Sequence, residues 1–119
     1  MSNQKLTMEV KEGLDFRGVG GLVKRLIHPT TTGSVNLGVS IAYINPGEEL
    51  PPHHHGNEEA YFVLQGEGVM TVEGYEETIL LKKYLSVYCP ANKDHYTKNT
   101  GNEPLVLLCS LTPPPGMNR

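Results

Sequence analysis

The sequence predicts an all-β, single-domain sandwich or barrel, and three observations carry that expectation. Short runs of Val, Ile, Leu, Tyr and Thr recur along the chain, and Gly, Pro and Asn interrupt them at close intervals. No stretch sustains a helical hydrophobic period over roughly three turns. Many short strands divided by turns bury their apolar faces by stacking as two sheets or by closing into a barrel. The 119 residues suit one domain, and the 38% hydrophobic fraction supplies its core without a covalent staple.

Taken in order, strands are expected at 22–28, 35–45, 61–65, 68–72, 76–81, 85–89, 95–98 and 105–112. The second alternates cleanly: Val35, Leu37, Val39, Ile41 and Tyr43 take one face, Asn36, Gly38, Ser40 and Ala42 the other. Breaks fall at 29–33, at Asn45-Pro46-Gly47, at Gly66, at Glu73-Gly74, at 90–93 and at 101–104. Residues 1–14 are polar and form an arm, free or exchanged as an edge strand in a dimer. The domain proper spans 15–112. Pro113-Pro114-Pro115-Gly116 cannot continue a ladder, because proline has no amide donor, so residues 113–119 are expected as an extended tail.

Composition narrows the function classes. The net charge is −3 and the lysines are scattered apart from Lys82-Lys83, which leaves no electrostatic footprint for nucleic acid. No basic amphipathic face suits a membrane surface, and no apolar run approaches the ~20 residues of a span. The start, Met1-Ser2-Asn3-Gln4-Lys5, lacks the apolar run of a signal peptide. A soluble, cytoplasmic protein is therefore expected. Cys89 and Cys109 do not make a disulfide scaffold and are read as buried thiols.

The chemistry concentrates in 47–59. Residues two apart in a strand point the same way, about 6–7 Å along the chain, so His53 and His55 can aim both imidazoles into one space. His54 and Glu58 fall on the opposite parity and are expected to be exposed. Gly56-Asn57 permits a turn or bulge, after which Glu59 begins the next strand facing that same space. Two neutral imidazoles and a carboxylate suit one divalent transition metal: manganese, iron, nickel, cobalt, copper or zinc. His95, after the 90–94 turn, is the candidate fourth ligand from a separate strand.

These residues resemble the cupin superfamily. Its first motif runs Gly, five residues, His, one, His, three or four, Glu, six, Gly. This chain fills every fixed position with Gly47, His53, His55, Glu59 and Gly66. The second motif is matched at Pro90, His95 and Asn99, while Tyr84 and Asn92 stand where the family has glycine. Asn accepts left-handed backbone more readily than most residues, Tyr does not. The resemblance implies a small single-domain cupin, a jelly-roll (double-stranded β-helix) barrel. It also implies one divalent metal on His53, His55, Glu59 and His95, with positions open to water or substrate, and a homodimer.

Further residues are weighed beside these four. Tyr61 lies two past Glu59, so parity points it inward, where it either fills the barrel or serves as the acid–base candidate. Thr97 stands in the same relation to His95. Arg25 and Tyr43 are candidates to line the pocket, Arg25 suiting a carboxylate or phosphate. His28, at a strand end before Pro29, is read as a structural or rim residue. The leading functional expectation is a metal-dependent enzyme acting on a polar small molecule, a sugar or a hydroxy or keto acid. An open metal site serves isomerisation, decarboxylation, elimination or dioxygenase chemistry. The competing expectation is a module that binds or senses such a molecule without turnover.

Overall fold

A computed structural model describes residues 5–17 and 21–116 of the chain. A 3-10 turn, Val10–Glu12, is followed by β1 (Leu14–Phe16), β2 (Leu22–Ile27), β3 (Gly38–Ile44), β4 (Glu49–His53) and β5 (Glu58–Gln65). Then come β6 (Gly68–Val72), β7 (Ile79–Leu81), β8 (Ser86–Cys89), β9 (His95–Asn99) and β10 (Leu105–Thr112). One sheet has the order β1-β2-β3-β10-β5-β8 and the other β4-β9-β6-β7, with antiparallel pairing throughout. The expected all-β jelly roll is therefore found. Among the described residues its two sheets face each other across a core and do not close into one continuous hydrogen-bonded cylinder.

The core between them follows from strand alternation. Ile44, Val63, Met70, Leu81, Leu105 and Leu107 are fully buried, drawn from both sheets. Asn99 locks one end. Its side-chain amide donates to the carbonyls of Ile44 and Glu103, both at 2.8 Å, while its Oδ1 accepts from the Gly101 amide. At Gly66 the chain turns with φ +92°, and a Cβ there would lie 2.7 Å from the Pro104 carbonyl oxygen. Only glycine fits that corner.

Several expected boundaries move, each for a local reason. β1 forms at the edge of the polar arm, because Leu14 and Phe16 pair with Arg25 and Val23. The arm itself turns back so that Met8 packs against Leu26, Ile41 and Val106 on the outer face of the larger sheet. β4 contains Pro51-Pro52, which a strand tolerates because β4 is an edge strand and carries a bulge between Leu50 and His53. Residues 35–37 do not join β3: Gly33 turns at φ +73° and Ser34 Oγ donates to the Leu37 carbonyl. The tail also departs from expectation. β10 ends at Thr112, but Pro114 is buried and Pro115 packs on Gly38, whose missing Cβ makes the room.

Facing on β3 corrects one candidate. The small residues Gly38, Ser40 and Ala42 look inward, and Tyr43 packs outside with Leu26, Ile41 and Val106. Tyr43 thus lies on the far side of the sheet from the cavity. The physical reason is volume: an interior wall beside a cavity keeps its small side chains there, and the large ones cover the outer face.

Candidate metal centre

The site joins the two sheets. His53, at the end of β4, and His95, at the start of β9, are cross-strand partners in the smaller sheet. Glu59 and Tyr61 come from β5 in the larger one. His55 follows β4 in a loop whose carbonyl accepts the Asn92 amide at 2.7 Å, tying it to the turn that presents His95. Asn92 takes φ +64° and Tyr84 φ +74°. Both residues that replace motif glycines therefore adopt the left-handed backbone that glycine would give. Tyr84 is held there by its amide bond to the Val63 carbonyl and by stacking on Phe62.

The three imidazoles share one orientation logic. Nδ1–H of His53 donates to the Pro51 carbonyl at 2.9 Å, that of His55 to Asn57 at 3.2 Å, and that of His95 to Lys93 at 3.3 Å. A carbonyl oxygen can only accept, so each Nδ1 carries a proton and Nε2 is the nitrogen each ring can offer a metal. Potential ligand nitrogens of His53, His55 and His95 lie within 4.8 Å of one another. Metal–nitrogen bonds of about 2.0–2.1 Å bring ligand atoms to roughly 3–4 Å apart, so small rotations suffice.

Glu59 sits at the edge of this cluster, 7% exposed. Its Oε1 lies 3.2 Å from His55 Nε2 and 3.8 Å from His95 Nε2. The hydrogen bond to Glu59 raises the His55 pKa above its ordinary value, whereas burial lowers that of His95. His95 Nε2 is buried with no hydrogen-bond partner among the described residues. An orphaned buried nitrogen costs free energy unless something binds it. Three imidazole nitrogens and a carboxylate at this spot fit a divalent transition metal.

The remaining expected residues are distributed unevenly. Tyr61 is buried, its ring centroid 6.0 Å from that of His95, and burial together with Glu59 pushes its phenol pKa well up. Arg25 lines the cavity, with its guanidinium 4.2 Å above the Phe16 ring. Thr97 is fully buried between Leu50 and Met70, its strand partners, and does not line the cavity. His28 is 2% exposed at the cavity rim, its Nδ1 accepting from the Thr30 amide and its Nε2–H donating to the Pro115 carbonyl. His54 is exposed, paired with Asp94 at 2.7 Å. Among the described residues, no helix is long and apolar enough to cross a membrane.

Sequence reasoning undervalued Cys89. It pairs with Glu59 in register and brings a buried sulfur within 4.8 Å of ligand atoms of Glu59 and His95. Burial, with the nearby carboxylate, pushes its thiol up to about 12. At neutral pH it is a thiol, not a thiolate. The register that sets it beside Glu59 is not written in the local sequence. Above the cluster opens a cavity of about 290 Å³ whose lining is chiefly apolar, including Val23, Ile27, Ala42, Leu50 and Leu111.

Comparison with known proteins places these observations. A family model described as "Cupin domain" matches residues 40–111. The chain is 33% identical to the uncharacterized protein MJ1618 of Methanocaldococcus jannaschii over 96 residues, 80% of this chain and 75% of that one. It is 32% identical to auxin-binding protein 1 of Arabidopsis thaliana, covering 76% of this chain and 52% of the relative. A solved structure of a predicted oxalate decarboxylase from Thermotoga maritima superposes with a TM-score of 0.72 at 23% identity, covering 87% of this chain and 96% of that chain. The matched segment contains every residue of the cluster just described, and the chain belongs to the cupin family.

Proposed function

We propose that this protein is a metal-dependent cupin enzyme that acts on a small molecule entering the cavity above His53, His55, Glu59 and His95. The observation that carries the reading is the set of three Nδ1–H donors on backbone carbonyls. It turns three Nε2 atoms toward one space beside a buried carboxylate, and His53, His55 and Glu59 of that set line the cavity. A divalent ion held there supplies Lewis acidity and open positions for ligand oxygen. The chain's own residues supply the rest. Glu59 and the three Nε2 atoms would hold the ion, once the proton between His55 Nε2 and Glu59 is displaced. Tyr61, kept protonated by burial, acts as a hydrogen-bond donor toward a group at the centre and not as a base.

Of the substrate classes a polar site admits, the acids fit this cavity better than a sugar. Chiefly apolar walls leave most sugar hydroxyls without partners, at a cost of about 1–3 kcal/mol for each buried polar group left unpaired. Isomerisation, decarboxylation, elimination and ring-opening oxidation remain the candidate reactions. The competing reading, capture without turnover, is favoured by the scarcity of positioned bases beyond Glu59. The two are separated by incubating metal-loaded protein with a panel of small hydroxy, keto and aromatic acids. Consumption that disappears in His53→Ala supports an enzyme, whereas saturable binding with every acid recovered intact contradicts it.

We further propose a cytoplasmic homodimer. What supports the dimer is exposed Leu14 and Phe16 on edge strand β1, whose outer side is unpaired among the described residues. Sedimentation velocity at micromolar concentration checks it: a single species of monomer mass contradicts the proposal.

A further inference from the structure

One interior rung of the larger sheet differs from the rung beside it. Arg25 pairs with Ser40, Ser40 with Cys109, and Cys109 with Tyr61, and all four line the cavity. The adjacent rung, Phe16, Val23, Ala42, Leu107 and Val63, is wholly apolar. A track of polar side chains therefore crosses an apolar wall. It starts at a guanidinium and ends at Tyr61, against His95. Three strand spacings separate Arg25 from Tyr61, about 14 Å between backbones.

Arg25 is the cation of that track. Its neighbour Lys24 points to the outer face and is paired with Asp15 at 2.7 Å. Arg25 stacks on Phe16 and has no carboxylate within ion-pair distance among the described residues. A guanidinium stays charged even when partly desolvated, and its planar fork matches a carboxylate. Among the described residues, the one acidic group lining the cavity is Glu59, which stands at the far end and is engaged by His55.

We propose that the cavity takes a small amphipathic monocarboxylic acid, its carboxylate on Arg25, its apolar body along Val23, Ala42 and Leu111, and its distal end at the histidine cluster. The placement of the distal end rests on the metal-centre reading; the carboxylate anchor does not. Arg25 thereby selects the substrate and fixes which end meets the chemistry. A neutral isostere loses the charge-assisted bond, and a polyol finds few partners on the walls away from that track.

The test uses the full chain, stripped of metal with a chelator and, separately, loaded with cobalt(II). Benzoate, 3-phenylpropionate and hexanoate are titrated calorimetrically against their amides. At least one acid binds both forms of the protein, at least tenfold tighter than its amide. Arg25→Gln abolishes that preference and Arg25→Lys keeps part of it, with thermal midpoints confirming that both variants fold. In the cobalt form, paramagnetic relaxation is stronger at the distal protons than at the methylene beside the carboxylate. Failure of all three acids to bind, a preference that survives Arg25→Gln, or stronger relaxation beside the carboxylate overturns the proposal. His53→Ala, which takes away a ligand of the cobalt ion, removes the relaxation effect. Should cobalt not bind at all, the metal reading fails while the stripped protein still decides the role of Arg25.

Discussion

Lowering the pH from 7.5 to 5.5 weakens metal binding by about a hundredfold to a thousandfold. Each ligating imidazole must be neutral, so protons and metal compete for the same nitrogen. An imidazole of ordinary pKa near 6.5 is about one-tenth protonated at pH 7.5 and about nine-tenths at pH 5.5, a tenfold penalty for each ligand. Three such ligands set the upper figure, worth about 4 kcal/mol. The structure then unequally divides the penalty. Glu59 raises the pKa of His55, so its share begins at higher pH, while burial lowers that of His95 and defers its share. Affinity therefore rises with pH, and the proton that persists to the highest pH, and that metal must displace there, is the one between His55 Nε2 and Glu59. Calorimetric titration of zinc into tag-free protein, in buffers of different ionisation enthalpy, reads both affinity and protons released. An affinity constant to within threefold over that range, with no proton release, would falsify the three-imidazole site.

Other perturbations test the frame around it. Asn99→Ala removes two donated hydrogen bonds and one accepted, including the buried one to the Ile44 carbonyl; urea unfolding should show a loss of about 2–4 kcal/mol. Gly66→Ala forces a Cβ against the Pro104 carbonyl at φ +92° and should cost more than about 1 kcal/mol in the same assay. Native protein at pH 8 should leave both thiols unreacted with a disulfide reagent, since Cys89 and Cys109 are buried with raised pKa values, and both should react after denaturation.

The fold was legible because strand alternation and turn residues are local signals. Strands 68–72 and 105–112 fall where the alternation puts them. β4 is not among the strands expected from alternation, although the parity of His53 and His55 presupposes one there; Pro51-Pro52 is tolerated because β4 lies at a sheet edge. The histidine and glutamate spacing was legible in the same way, through parity along one strand and a recognisable motif. Which face of β3 looks inward was not, because alternation fixes two faces without naming the buried one; Tyr43 went outside for that reason. Register between distant strands was equally hidden. It sets Cys89 beside Glu59 and lines up Arg25, Ser40, Cys109 and Tyr61. Tyr84 and Asn92 looked like departures from a glycine motif, yet tertiary hydrogen bonds hold both at positive φ.

The central claim is that three imidazoles and one carboxylate share a cation. Elemental analysis of protein purified without a histidine tag, repeated on His53→Ala and His95→Ala, tests it most directly. The account predicts close to one transition-metal ion per chain in the wild type and a small fraction of that in each folded variant. Metal-free wild-type protein that also fails to take up manganese, iron, cobalt, nickel, copper or zinc at micromolar concentration, or variants that retain full metal content, would contradict it.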